Sequence, residues 1–425
     1  MSVPLNNLYH WIDSLLPKPS TIYLFYPHGS KNILDFNPLR HTNTETYLRT
    51  VHVLAHDQEP LNHSLYDNIT LDTYLKWLQI NYNKYINYVK LHLNAYQNKN
   101  LACRAAHHNL YEKVILLHSE KNSHEVAWYQ ANGHVPVYYW CHAVIARDWY
   151  RFARIDQRLN YDSHSHKTFL IYCRDWSDRR EYRLKFLSNL VETNLHQHSQ
   201  VSVSKYCSKG YHYQQHEFLN SDFSIDQMNM LDQISDNAVD SSASADYDVE
   251  DFNCTQISVV LETEFDTERI HLTEKILRAI ACGHPFLLAA GPLSLQYLRD
   301  YGFKTFAPWI DETYDLEQNS LARLNKIVAS MQKIQQLTGC ERDVFLQEVR
   351  KIAQFNKQHF FSDQFQRTVE TELKTNLNQA YNELGRPRGK TYLKTRRQLR
   401  QQYPEYAEFN RNLRKFAIDH IRNQF

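Results

Sequence analysis

Three groups of residues in this 425-residue chain have types and spacings suited to chemistry on an anionic or hydroxylated ligand. The first is Glu262 and Glu264, followed by the tripeptide Thr273-Glu274-Lys275. A helix opening at Thr273 offers orphan amides, the positive end of its dipole and the Lys275 ammonium to a phosphate. Glu274 beside it can accept hydrogen bonds from ribose hydroxyls. The second group is Arg174, Arg179 and Arg180, whose planar guanidinium groups suit bidentate phosphate contacts. The bland alternative is a basic helix face paired with Asp175, Asp178 and Glu181. The third group is two carboxylates, Glu59 in His56-Asp57-Gln58-Glu59-Pro60 and Glu120 in His118-Ser119-Glu120-Lys121-Asn122-Ser123. A carboxylate placed there can take a proton from an attacking hydroxyl, or serve only as a polar strand end or helix cap.

These residues need elements to hold them, and the pattern supplies strands alternating with helices. Ile257 to Leu261 is a β-branched apolar run of the kind buried on both faces of a parallel sheet. Thr273 is a candidate N-cap, Ile276, Leu277, Ile280 and Ala281 fall at helical spacing, and Gly283 is a candidate stop. Pro285 to Ala290 is a second strand, Leu293 to Tyr301 a second helix, and Lys304 to Phe306 a third strand. In parallel sheets of this kind a ligand sits beyond the carboxyl ends of the strands, where the acids and the Thr-Glu-Lys tripeptide fall.

Earlier in the chain, Thr21 to Tyr26, Thr50 to Ala55, Lys113 to Leu117 and Val135 to Trp140 read as four strands. A helical pattern runs between Leu71 and Leu93, and the loop His28-Gly29-Ser30 follows the first strand. Polar residues from Asn160 to Lys167 mark a domain boundary, after which Thr168 to Tyr172 begins a second sheet. Residues 221–251 are acidic without a Lys or Arg and read as a mobile loop or insertion. The Asp246-Tyr247-Asp248 triplet inside them reads as a chance match to a metal-binding pattern. A long helix carrying Leu321, Leu324, Ile327 and Val328 opens a helical stretch to about residue 384. The tail from Arg386 onward holds eleven Lys or Arg against three acids, a net of +8 that could track a polyanion such as DNA.

Apolar content of 42%, charged content of 22% and a net charge of +1 are those of an ordinary globular chain with no global pull toward nucleic acid or membrane. No segment is long and apolar enough for a membrane span. Seven scattered cysteines with no Cys-x-x-Cys, and no signal peptide pattern, point to free thiols in the cytoplasm.

The order of acidic strand end, Thr273-Glu274-Lys275, a helix rich in small residues, Gly283-His284-Pro285 and a strand closing in Gly291 resembles the donor-binding half of the α1,3-fucosyltransferases. It is similar above all to fucosyltransferase-like glycosyltransferases of phages and large viruses. The resemblance spans Ile257 to Phe306 and implies an α/β fold of two Rossmann-like domains facing a cleft, the GT-B type. The domains would cover 1–160, for the acceptor, and 161–384, for a nucleotide-diphosphate sugar, with a basic helical tail over 385–425. It further implies metal-independent glycosyl transfer in the cytoplasm, or host cytoplasm if viral. The donor diphosphate would meet the family's arginine at a helix start, here Arg180, with Arg179 and Arg174 next. The family's Glu-Ser-Pro signature is matched by Glu59-Pro60 in chemistry and by Glu120 to Ser123 in position. The acceptor would be a glycan, or DNA held by the basic tail. Two rival readings are an enzyme acting on nucleotide sugars or phosphate esters without sugar transfer, and a non-catalytic nucleic-acid or glycan-binding protein.

Overall fold

The computed structural model describes residues 5–16, 20–24, 51–62, 114–159, 166–234, 237, 244–385 and 397–405. The chain divides into two compact units, one of Leu5–Cys141 with Glu370–Phe425 and one containing His142–Val369. The boundary expected near residue 160 therefore lies inside the second unit. Each unit is built on its own four-stranded parallel sheet, so the fold is α/β.

The first sheet contains β1 (Ser20–Leu24), β2 (Val51–Ala55), β3 (Val114–His118) and β4 (His134–Tyr138), paired in chain order. β3 reads Val-Ile-Leu-Leu-His and is buried along its whole length, as a strand covered on both faces must be. Helix α1 (Leu5–Leu15) buries Leu8 and Ile12, and α2 (His124–Ala131) makes the crossover from β3 to β4. The four expected strands are present within a few residues of their expected limits. The helix expected over 71–93 and the loop at 28–30 lie outside the described residues.

The second unit begins with α3 (Cys141–Trp149, its first residue belonging to the first unit) and continues through β5 (Phe169–Cys173), α4 (Tyr182–Glu192) and β6 (Ser199–Val203). Next come α5 (Val249–Asn253), β7 (Ile257–Leu261), α6 (Glu274–Cys282), β8 (Phe286–Ala289) and α7 (Ser294–Asp300). Its strand order is β6-β5-β7-β8, with every pair parallel. The chain thus steps from β5 outward to β6, jumps back across β5 to β7, and continues outward to β8. Right-handed crossovers then put α4 and α6 on opposite faces of the sheet. Helix α8 (Ser320–Gln336) packs on the α4 side, and α9 (Gly339–Phe360) packs against α6. Helix α10 (Asp363–Gly385) carries the chain from the second unit back to the first.

Two expectations need correction, and one strand was not expected. Residues 304–306 are not a strand, because a side chain replaces the missing sheet neighbour. The buried Asn356 amide accepts from Lys304 N and donates to Lys304 O, both at 2.8 Å. Strand β6, Ser-Gln-Val-Ser-Val, has no sequence counterpart above; its alternation of buried and half-buried residues is that of a strand with one partly open face. The acidic stretch is not a free loop where it is described. Phe223, Leu231 and Ile234 are buried, and the 3₁₀ turns bearing the first two pack on α4.

The basic tail is outside the described residues at 386–396 and 406–425. In the remainder, Arg400 Nε donates to the Ala131 carbonyl at 3.0 Å, capping the last residue of α2. Among the described residues no helix is long and apolar enough to cross a membrane.

Burial pushes three histidines down, His56 to about 3, His118 to about 4 and His284 to about 3. They are held neutral in the folded chain, whereas the unfolded chain protonates them near pH 6.5. Their contribution to stability is therefore complete above pH 6.5 and is lost as the pH falls toward 3. Each loses up to about 1.4 kcal/mol per pH unit within that window. Thermal melts at pH 7.5 and pH 5 should show a lower Tm at pH 5. Equal Tm values would contradict the burial of these rings as neutral groups.

Candidate functional site

Topology locates the site before any side chain is considered. In an open parallel sheet the crevice forms where successive crossovers leave on opposite faces, at the carboxyl ends of the two strands between them. In the second sheet those strands are β5 and β7. The first sheet is paired in chain order and has no such reversal among its described strands. Beyond β5 come Arg174, Asp175 and the 3₁₀ turn Asp178–Arg180, and beyond β7 come Glu262 and Glu264. Two of the three sequence clusters therefore meet at one edge of one sheet.

Glu262 is fully buried. Its carboxylate accepts from Thr273 N at 3.0 Å and from the Thr273 hydroxyl at 2.6 Å. The Thr273 hydroxyl in turn caps α6 by accepting from Lys275 N at 3.4 Å. The Lys275 ammonium folds back onto Thr273 Oγ1 and Glu274 Oε1, both at 3.1 Å. The other Glu274 oxygen lies 3.5 Å from His142 Nδ1, on α3. Burial alone would raise the Glu274 carboxyl, but the Lys275 ammonium and the neighbouring His142 ring outweigh it and hold it well below the usual range. Glu274 is thus an ionised acceptor at the helix start, and Lys275 is half-neutralised by it.

Arginines close the other side. Arg183 is buried and donates to the carbonyls of Leu261 at 2.8 Å, Glu262 at 3.0 Å and Asp175. The Tyr182 hydroxyl donates to the same Glu262 carbonyl at 2.6 Å. Arg180 is engaged by Asp175 at 3.2 Å. Glu264 is buried and paired with the equally buried Arg269 at 3.0 Å. Its second oxygen meets Arg179 at 3.4 Å, a contact in which the arginine side chain stays 44% exposed. Arg174 is exposed and makes no ion pair among the described residues. Arg179 and Arg174, rather than Arg180, are therefore the guanidinium groups best able to turn toward an anion.

The edge is narrowed by Gly291, just past β8. A Cβ there would come within 2.7 Å of the Arg269 carbonyl and 2.9 Å of the Thr267 carbonyl. Only glycine lets the strand end pass the loop that presents Arg269 to Glu264. At the far end of α6, Gly283 adopts φ 71°, the left-handed conformation that ends the helix.

The third cluster belongs to the first unit. Glu120 is buried and accepts from Leu61 N at 2.5 Å, which ties the strand end after β3 to the loop after β2. Glu59 is half-buried on that loop. Asp57, two residues earlier, is buried and accepts from the Tyr9 hydroxyl at 2.7 Å and from Tyr139. Sequence reasoning missed Asp57, His142 and Arg183. His142 and Tyr139 reach their carboxylates from elements more than 80 residues away in the chain, and no local spacing announces that. Comparison of the chain with family models, curated proteins and solved structures finds no match in any of the three.

Removing the Glu262 carboxylate leaves the Thr273 amide and hydroxyl without their acceptor in a buried site. We expect Glu262→Ala to destabilise the second unit by about 2–3 kcal/mol. Amide exchange over residues 273–277 should rise well above that over β7. Unchanged exchange there would show that Thr273 caps the helix without Glu262.

Proposed function

We propose that the chain is a glycosyltransferase of the GT-B class, akin to the fucosyltransferases, that moves a sugar from a nucleotide-diphosphate sugar to an acceptor hydroxyl on a glycan or nucleic acid. The observation that carries this reading is the joining of an ionised Glu274, the capped start of α6 and the available guanidinium groups of Arg174 and Arg179 at the carboxyl edge where the second sheet reverses. In this reading Arg179 and Arg174 neutralise the diphosphate, which becomes the leaving group, and the α6 amides and Lys275 add to that field. Glu274 accepts from the ribose hydroxyls. The donor's sugar carbon is attacked by an acceptor hydroxyl as its bond to the diphosphate breaks, and the hydroxyl proton passes to a carboxylate. Glu59 and Glu120 are the two candidates that the sequence offers for that carboxylate. The protein's remaining contribution is positional: donor and acceptor held in line.

A thermal-shift screen against UDP-, GDP-, ADP- and CMP-sugars tests the reading. A true donor at 100-fold excess over Kd should stabilise the chain by about 2.7 kcal/mol. For that donor, Arg179→Ala should weaken binding about tenfold, or about 1.4 kcal/mol, by titration calorimetry. Of Glu59→Gln and Glu120→Gln, one should leave donor binding intact and lower turnover by about 10². Stabilisation by none of the donors, or equal affinity in the Arg179 variant, would sink the assignment.

A further inference from the structure

On the face of the second sheet that carries α6, no full helix among the described residues covers the half formed by β5 and β6. The described residues of the crossover that should cover it, within 204–256, form 3₁₀ turns and the five-residue helix α5. What remains is a cavity of about 1020 Å³, the size range of small-ligand sites. Its floor is the outward face of the two strands: Tyr172 and Ser202, which are register partners, with Gln200 beside them.

The lining is polar, aromatic and acidic together. Asp246, Asp248, Glu250 and Asp251 stand against Arg158 and Arg278, so among the described residues the wall carries two more negative charges than positive. That balance repels phosphate backbones and sulfated or uronic glycans. The acids are also already in use. Asp248 caps α5 by accepting from Glu250 N at 2.9 Å, and Asp251 accepts from the Tyr172 hydroxyl at 2.8 Å. The Asp-x-Asp triplet is thereby accounted for as a cap and a wall. Tyr247 between them donates to Asp156 at 2.9 Å, and Arg278 stacks 4.2 Å from the Tyr172 ring. The walls are pre-formed, which lowers the ordering cost of binding.

We infer that this cavity is a binding site for a neutral oligosaccharide. Amides and hydroxyls that both donate and accept, beside carboxylates that accept, suit a ligand dense in hydroxyl groups. Phe152, 60% exposed at the rim, offers an aromatic plane to the C–H face of a sugar ring. The site is separate in residues from the α6 start and does not need the donor reading to be correct. If that reading holds, the cavity anchors a glycan acceptor or product on the donor-binding unit.

The test is calorimetry of the full chain, without nucleotide, against maltotriose, cellotriose, triacetylchitotriose and a chondroitin tetrasaccharide. At least one neutral trisaccharide should bind, and the chondroitin should not. Phe152→Ala or Gln200→Leu should weaken that binding by roughly fivefold, the scale of one aromatic or polar contact, with the melting temperature unchanged. No binding by any neutral sugar, binding unaltered in both variants, or preference for the anionic sugar each overturns the inference. Donor binding is measured separately, so failure here and failure of the donor assignment remain distinguishable.

Discussion

Glu262 lies at the end of β7 with no solvent contact, and both halves of its residue are held by neighbouring elements. Its carboxylate grips the amide and hydroxyl of Thr273, at the start of α6. Its carbonyl accepts from Tyr182 and Arg183, in the first turn of α4. A buried carboxylate is tolerated only when its lone pairs are satisfied. Here the start of α6 satisfies the carboxylate and α4 satisfies the carbonyl, and those two helices leave the sheet on opposite faces. One residue therefore sets the distance between the two walls of the crevice, and the groups that line it inherit that geometry.

The electrostatics of the crevice follow from which charges are already matched. Glu264 and Arg269 neutralise each other in the interior, and Asp175 engages Arg180. Lys275 faces Glu274 at 3.1 Å and is 29% exposed, so it contributes only part of its charge to an incoming anion. Arg174 and Arg179 stand at the solvent side and can change partners without leaving a buried acid alone, since Glu264 keeps Arg269. A ligand that brought two negative charges would complete this set. A neutral ligand would leave two guanidinium groups in water and gain little from them.

Much of this was readable from the sequence, for reasons that are local. Ile257 to Leu261, Thr273 and Gly283 announce a strand, a cap and a stop through propensities that act within a few residues. Each of them sits where its type predicts. The strand expected at 304–306 failed because its backbone partner is the side chain of Asn356, fifty-two positions on. Strand β6 escaped notice because Ser-Gln-Val-Ser-Val is weakly apolar, a consequence of the open face it turns to the cavity. The preference for Arg180 over Arg179 could not be corrected from composition. Which of two adjacent arginines is engaged depends on Asp175 and Glu264, which come from different strand ends.

The crevice at the reversal of the second sheet is the centre of this account, and amide exchange can examine it directly. The full chain would be exchanged alone and with saturating UDP, GDP or ADP, followed by peptide-level mass analysis. One nucleotide should slow exchange in two separate segments, 174–183 and 262–276, and leave the 244–251 wall of the sugar cavity unchanged. Protection of neither segment by any of the three nucleotides, or protection only elsewhere in the chain, would contradict it.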